Sequence, residues 1–418
     1  MKRICPIVCI LICTVYSQAQ TIAIKAGHLV DPKSGITLSN QIILVKDGII
    51  NEIGTDVDTR AAEKIIDLSS AWVLPGLMDC HVHITYNDAY RKYSQAGSYL
   101  VESNGFRALR GAYNAELLLK SGFTTIKDIG NDGNYATADV IRASRQGWIK
   151  APTIYYSGKI IAPYGGQTSG ISLENEGFWK YEYIDADTHD EIVKAVRQNI
   201  YFGANVIKMV SGDQRYVYSE EDIRTAVNEA HNAGVKLTCH VMGGKAALNV
   251  IMGGADAIEH GFDLSDSLLQ LMKDKGTYLV GTDLAFENIY AYGGDSLSAK
   301  KVTEGIIDRL KRAYRIGTKM AFGTDVIIDL PGKNRVQSNM EVLKNWKAAQ
   351  IPAMYILRTM TFNAAELLGT ENTRGIIAPG FRADIISMTK NPLVDIENIN
   401  TVNFVMKNGK VIRHDEAD

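Results

Sequence analysis

Hydrophobic and polar residues alternate with a period of two through residues 21–29, 41–53 and 64–74, and turn formers such as Asp47-Gly48 break the runs. This pattern predicts short, half-buried strands. The same texture returns at 375–389 and 402–412, where Asn408-Gly409 reads as a tight hairpin turn. Between these ends, short apolar runs alternate with segments of helical period, and strands are predicted at 73–80, 124–129, 152–157, 205–210, 237–241, 257–259, 277–280 and 319–322. Thr188…Glu191 and Ser219…Asp222 have the form of capping boxes, and Gly203, Gly234, Gly253 and Gly276 fall where a helix needs a left-handed closing residue.

Eight successive strand–helix units predict an α/β fold, a (β/α)8 TIM-type barrel. An open doubly wound sheet would need a glycine-rich phosphate loop after its first strand, and none is there. The expected organisation is a barrel over 74–370 and a small β-sandwich domain formed by both chain ends, 20–73 and 371–418.

Composition changes the picture in two ways. With 46% hydrophobic residues in 418, a large core is available, while a formal net charge of -2 gives no basic surplus for nucleic acid or an anionic membrane. The expected partner is a small-molecule substrate, and homo-oligomerisation stays open. The first 19 residues combine a basic start, a short apolar run and Ser17-Gln18-Ala19 before a cleavage point, as a secretory signal peptide does. The expectation is export to a periplasm or the outside, without a membrane span; a lipid anchor fits less well, because bulky Ile12 precedes Cys13. Beyond that leader only Cys80 and Cys239 remain, too few for a disulfide framework.

The predicted strand ends carry the chemistry. His81 and His83 end the first, Lys208 lies in the fourth, His240 in the fifth, His260 after the sixth and Asp325 after the eighth. Singly, each has an ordinary explanation: a lysine paired with an acid, a hydrogen-bonded core histidine, an aspartate capping a helix. Together, at one mouth of a barrel, they point to a metal centre.

The segments Pro75-Gly-Leu-Met-Asp-Cys-His-Val-His83, Ile207-Lys208-Met209, Cys239-His240, Ile258-Glu-His260-Gly261 and Phe322-Gly-Thr-Asp325 resemble the amidohydrolase superfamily in its binuclear form. Met360 to Gly369, Ile377-Ala-Pro-Gly380, Ala383-Asp384-Ile385 and Asn391-Pro-Leu393 are similar to its closing segments. Within it, the chain looks like the imidazolonepropionase-like and Xaa-Pro dipeptidase-like branch. The resemblance implies that His81, His83 and Asp325 hold a buried divalent ion, His240 and His260 a more exposed one, and that Lys208, N-carboxylated by CO2, bridges them. Zinc suits this nitrogen and oxygen set best, ahead of manganese, iron or cobalt. The implied reaction is hydrolysis of a C–N amide bond in a dipeptide or N-acyl amino acid by a metal-bridging hydroxide, with Asp325 moving the proton.

Specificity is where the chain departs from that pattern. The branch often has Gly-Gly-His after the third strand where this chain has Gly165-Gly166-Gln167, and a histidine or tyrosine where Met242 stands. Gln167, Met242 and Tyr218, in the loop after the fourth strand, are the expected substrate contacts; Tyr216 and Arg215 are weaker candidates, and Asp128 a supporting one. The same centre could instead serve a lactonase or phosphotriesterase, and a degenerate barrel could act only as a binding protein.

Overall fold

The structure, a computed structural model, describes residues 21–87, 98–99, 101–130, 133–168, 171–293 and 295–415. The signal-peptide reading of 1–19 lies outside the described residues.

Both chain ends enter one sheet. Strands β1 (Thr21–Asp31), β2 (Ile36–Lys46), β3 (Ile49–Gly54) and β4 (Lys64–Pro75) are joined by β14 (Ile385–Met388), β15 (Val402–Lys407) and β16 (Lys410–His414) in the order β16-β15-β14-β4-β1-β2-β3. An antiparallel bridge between Ile49 and Arg382 brings the β3 edge round to the segment before β14. The enclosed core contains Ile24, Ile43, Val73, Ile385 and Phe404, all fully buried. Asn408 and Gly409 turn the β15–β16 hairpin with φ of 48° and 75°, as the Asn-Gly pair predicts.

The middle of the chain is the α/β part, a TIM-barrel-type fold. Strands β5 (Leu77–Val82), β6 (Phe123–Asp128) and β7 (Thr153–Tyr156) form one parallel sheet. Strands β8 (Ile160–Ala162), β9 (Tyr183–Asp185), β10 (Val206–Val210), β11 (Lys236–Gly243), β12 (Ala257–Asp263) and β13 (Tyr278–Val280) form another, in the order β13-β12-β11-β10-β8-β9. Between the sheets, the Asn205 N–H donates to the Tyr156 carbonyl at 2.9 Å, Leu279 to Lys319 at 2.8 Å and Cys80 to Phe322 at 2.8 Å. Residues 319–325 therefore run between β13 and β5, where the eighth strand was expected, but with the Leu279–Met320 bridge as their only regular pairing among the described residues.

Two other expectations shift. The predicted strand 73–80 is divided at Gly76, where the chain leaves the end sheet for the barrel part; a Cβ there would lie 2.2 Å from the Thr124 hydroxyl. The two capping boxes are present, and Gly203, Gly234 and Gly276 adopt positive φ. Gly253 does not, because helix Gly244–Met252 closes one residue later, at Gly254 with φ of 89°. Ile192 and Val196 of helix His189–Tyr201, and Ile223 and Val227 of helix Glu220–Asn232, pack into the main core with the barrel strands. Among the described residues no helix is long and apolar enough to cross a membrane.

Candidate metal centre

His81, near the end of β5, and His83, just after it, have their Nε2 atoms 3.2 Å apart, and Asp325 Oδ1 lies 2.9 Å from His83 Nε2 and 3.4 Å from His81 Nε2. The three ligand atoms fall within 4.8 Å of one another. Two ligands at the usual zinc bond length of about 2.0–2.1 Å and tetrahedral angle are roughly 3.3 Å apart, so the spacing fits a divalent ion. The Asp325 N–H donates to the His81 carbonyl at 2.8 Å, and Asp325 takes a left-handed φ of 53°. The Gly323 backbone makes this approach possible, since a Cβ on it would stand 2.4 Å from Val280 and 2.9 Å from the His81 Cβ.

The other two histidines adjoin this group. His260 lies 5.1 Å from the His81 ring and 4.3 Å from the His240 ring, centroid to centroid. Strand alternation alone would send Glu259 and His260 to opposite faces. The left-handed φ of 69° at His260 breaks that alternation, and both side chains reach the site.

Apart from the contacts with Asp325, each of the four histidines has one ring nitrogen engaged by a protein oxygen. His81 Nδ1 meets Glu259 Oε2 at 2.7 Å, His83 Nδ1 the Gly130 carbonyl at 2.9 Å, His260 Nδ1 the Thr282 hydroxyl at 2.8 Å, and His240 Nε2 the Asp213 carboxylate at 3.0 Å. A ligating imidazole is held this way, one nitrogen oriented and the other left for the ion. Burial drives the His81 and His260 pKa values well below the ordinary one, which favours the neutral ring a metal needs. Burial would raise the Asp325 pKa, but His81 and His83 outweigh it and keep the carboxyl low.

Among the described residues two lysines, Lys127 and Lys208, are buried inside the barrel part, and they differ. Lys127 donates to Glu259 at 2.6 Å, while buried Lys208 has no hydrogen bond or ion pair among the described residues. Burial is the main cause that lowers the Lys208 pKa.

Comparison with known proteins now decides the family: the amidohydrolase family profile matches residues 72–412. The chain belongs to the amidohydrolase family. It is 27% identical over 438 aligned positions to ochratoxinase of Aspergillus niger, covering 95% of this chain and 87% of that one. Imidazolonepropionase of Kosmotoga olearia is 24% identical, over 90% and 91% of the two chains. Among solved structures, a Xaa-Pro dipeptidase with methionine bound in its active site superposes with a TM-score of 0.84 at 27% identity, over 94% of this chain and 100% of that one. These relatives support hydrolysis of a carbon–nitrogen bond.

The expected substrate contacts of this amidohydrolase fare differently. Gln167 is at the site, with Nε2 2.5 Å from Asp213 and 3.4 Å from His240 Nε2. Tyr218 is buried, with its hydroxyl donating to the Ala186 carbonyl at 2.8 Å, so the loop uses it for packing. Tyr216 bonds the Tyr164 carbonyl, Arg215 is exposed, and Met242 is half-buried beyond His240. Asp128 accepts from the Ile84 N–H and Thr137, bracing the β5 end.

Sequence reading missed Asp213, Lys127 and Thr282 and gave Glu259 no role. Lys127 and Glu259 carried a usable signal, since charged residues inside apolar strands need partners. Asp213 and Thr282 sit in irregular segments and carried none.

Proposed function

We propose that this protein is an exported, binuclear metal-dependent amidohydrolase acting on the amide bond of a dipeptide or an N-acyl amino acid. The observation that carries the reading is the pattern of four histidines, each with one nitrogen held by a group other than Asp325, around Asp325 and a buried Lys208 that has no hydrogen bond or ion pair among the described residues. In this reading His81, His83 and Asp325 would hold one divalent ion and His240 and His260 a second, with Lys208, once carboxylated, as an anionic oxygen ligand for the pair. Zinc or a similar ion would supply Lewis acidity towards a carbonyl and acidify water near neutral pH.

The chain's own groups do the rest. Ionised Asp325 accepts the attacking water's proton at Oδ2, the oxygen turned away from His83, and returns it to the leaving nitrogen. Glu259 and Gly130 fix the His81 and His83 tautomers, so their Nε2 lone pairs would be free for the ion that Asp325 also faces. The products are a carboxylate and an amine.

The test is elemental analysis of residues 20–418, with hydrolysis of mixed dipeptides and N-acyl amino acids. About two divalent ions per chain, with amino acid release, is the expected result. Asp325→Asn should abolish nearly all turnover, and Lys208→Ala should lose metal as well as rate. No metal after reconstitution with zinc and bicarbonate would overturn the reading.

A further inference from the structure

Loops from two neighbouring strands meet over His240. Gln167 follows β8, and Asp213 and Gln214 follow β10. The Gln167 amide donates to Asp213 Oδ2 at 2.5 Å and its carbonyl oxygen accepts from the Tyr183 hydroxyl at 3.1 Å; the Gln214 amide donates to the Gly166 carbonyl at 2.7 Å. Asp213 in turn reaches His240 Nε2 with both oxygens, at 3.0 and 3.1 Å, and its side chain is 25% exposed. A carboxylate so held is not free to swing into solvent.

We propose that Asp213 is the positioning residue of the exposed metal site, holding His240 through Nε2 so that Nδ1 is the nitrogen offered to the ion. The inference rests on the binuclear reading above. Chemically, the imidazole has one N–H to donate and one lone pair to share. With Nε2–H given to Asp213, the lone pair is on Nδ1, for which no hydrogen bond exists among the described residues. The anionic acceptor also makes that lone pair more basic than a neutral acceptor would. Gln167, standing where the expected pattern has a histidine, is thereby a strut for Asp213, tying the substrate-side loop after β8 to the metal site.

Removal of such an orienting carboxylate typically costs 10–100-fold in metal affinity. The experiment titrates apoprotein with Co2+ in the presence of bicarbonate, following visible absorption and bound metal by equilibrium dialysis. Wild type, Asp213→Ala, Asp213→Asn, Asp213→Glu and Gln167→Ala are compared. The expected result is two binding events in wild type, with the first unchanged and the second weakened about 10–100-fold in the alanine variant. The asparagine variant keeps an acceptor but loses the charge and should fall between, with an altered second-site cobalt spectrum. Glutamate should recover part of the affinity, and Gln167→Ala should weaken the second event by a few-fold.

If wild type binds two ions and Asp213→Ala binds both with unchanged affinity and spectrum, the inference fails and the binuclear reading stands. Equal weakening of both events would also overturn it, since the effect would then be on the whole fold. Wild type binding fewer than two ions would overturn the binuclear reading and this inference together.

Discussion

The buried Lys127–Glu259 pair separates stability from metal binding. The two side chains are 1% and 0% exposed and their charged atoms are 2.6 Å apart. At an effective dielectric of 20 their attraction is about 6 kcal/mol, much of which offsets the cost of removing both charges from water. Burial would raise the Glu259 pKa, and Lys127 and Lys208 more than reverse this, so the carboxylate is ionised. Lys127→Met leaves that charge hydrogen-bonded by Thr238 and His81, with Lys208 as the nearby cation and no direct ion pair among the described residues, and should cost about 3–5 kcal/mol. For a chain this long, with an unfolding entropy of about 2 cal/mol/K per residue, the loss is roughly 4–6 °C in Tm.

The double variant Lys127→Met/Glu259→Met tests the cause. It leaves no buried Glu259 carboxylate without its partner, so it should regain much of the stability, less what Lys208 loses with the Glu259 charge. It also removes the acceptor for His81 Nδ1, so it should hold the His81–His83–Asp325 ion about 10–100-fold more weakly than wild type. Thermal melts of apoproteins and zinc retention against a chelator check both halves. A single variant melting within 1 °C of wild type, or a double variant no better than the single, would refute the account.

Three further predictions rest on other parts of the molecule. Burial, with Arg374 nearby, holds the Lys407 amine down to about 8, against about 10.4 in an unfolded chain. Unfolded chain thus holds more protons between those values, so this contribution is full above pH 10.4 and lost as pH falls through 8; urea unfolding of wild type relative to Lys407→Met should gain roughly 3 kcal/mol from pH 7 to 10.5, and a flat difference would contradict it. Cys80 and Cys239 are fully buried free thiols pushed up to about 12 by burial, so a thiol reagent at pH 8 should label neither until urea is added, and rapid labelling of the native protein would show the packing to be wrong. Thr282→Val keeps the shape but strips the acceptor from His260 Nδ1, leaving a buried donor unpaired at a cost of about 1–3 kcal/mol, and should weaken metal retention as well; Thr282→Ser should restore it, and a valine variant with wild-type metal retention would remove Thr282 from the site.

Local chemistry made much of this protein legible. The alternation of the chain ends, the strand–helix rhythm between them and the Asn408-Gly409 turn each depend on residues close in sequence, and each has its counterpart in the structure. His81, His83 and Asp325 were also readable, because their strand-end motifs are compact, and the fold brings their ligand atoms together. The eighth strand was less so: residues 319–322 have strand composition but take their hydrogen bonds piecemeal from β13 and β5.

What sequence alone determined was the set of chemically able groups and the order of elements that would carry them, since periodicity and ligand type are properties of short segments. What only the tertiary structure decided was which nitrogen of each histidine is engaged, that Lys127 is paired while Lys208 has no partner among the described residues, and that Asp213 and Gln167 meet at His240. Those choices depend on contacts between loops and strands tens to hundreds of residues apart and on left-handed backbone at His260, Thr282 and Asp325. No local pattern encodes such contacts, because they arise when separate strand ends converge on one buried space.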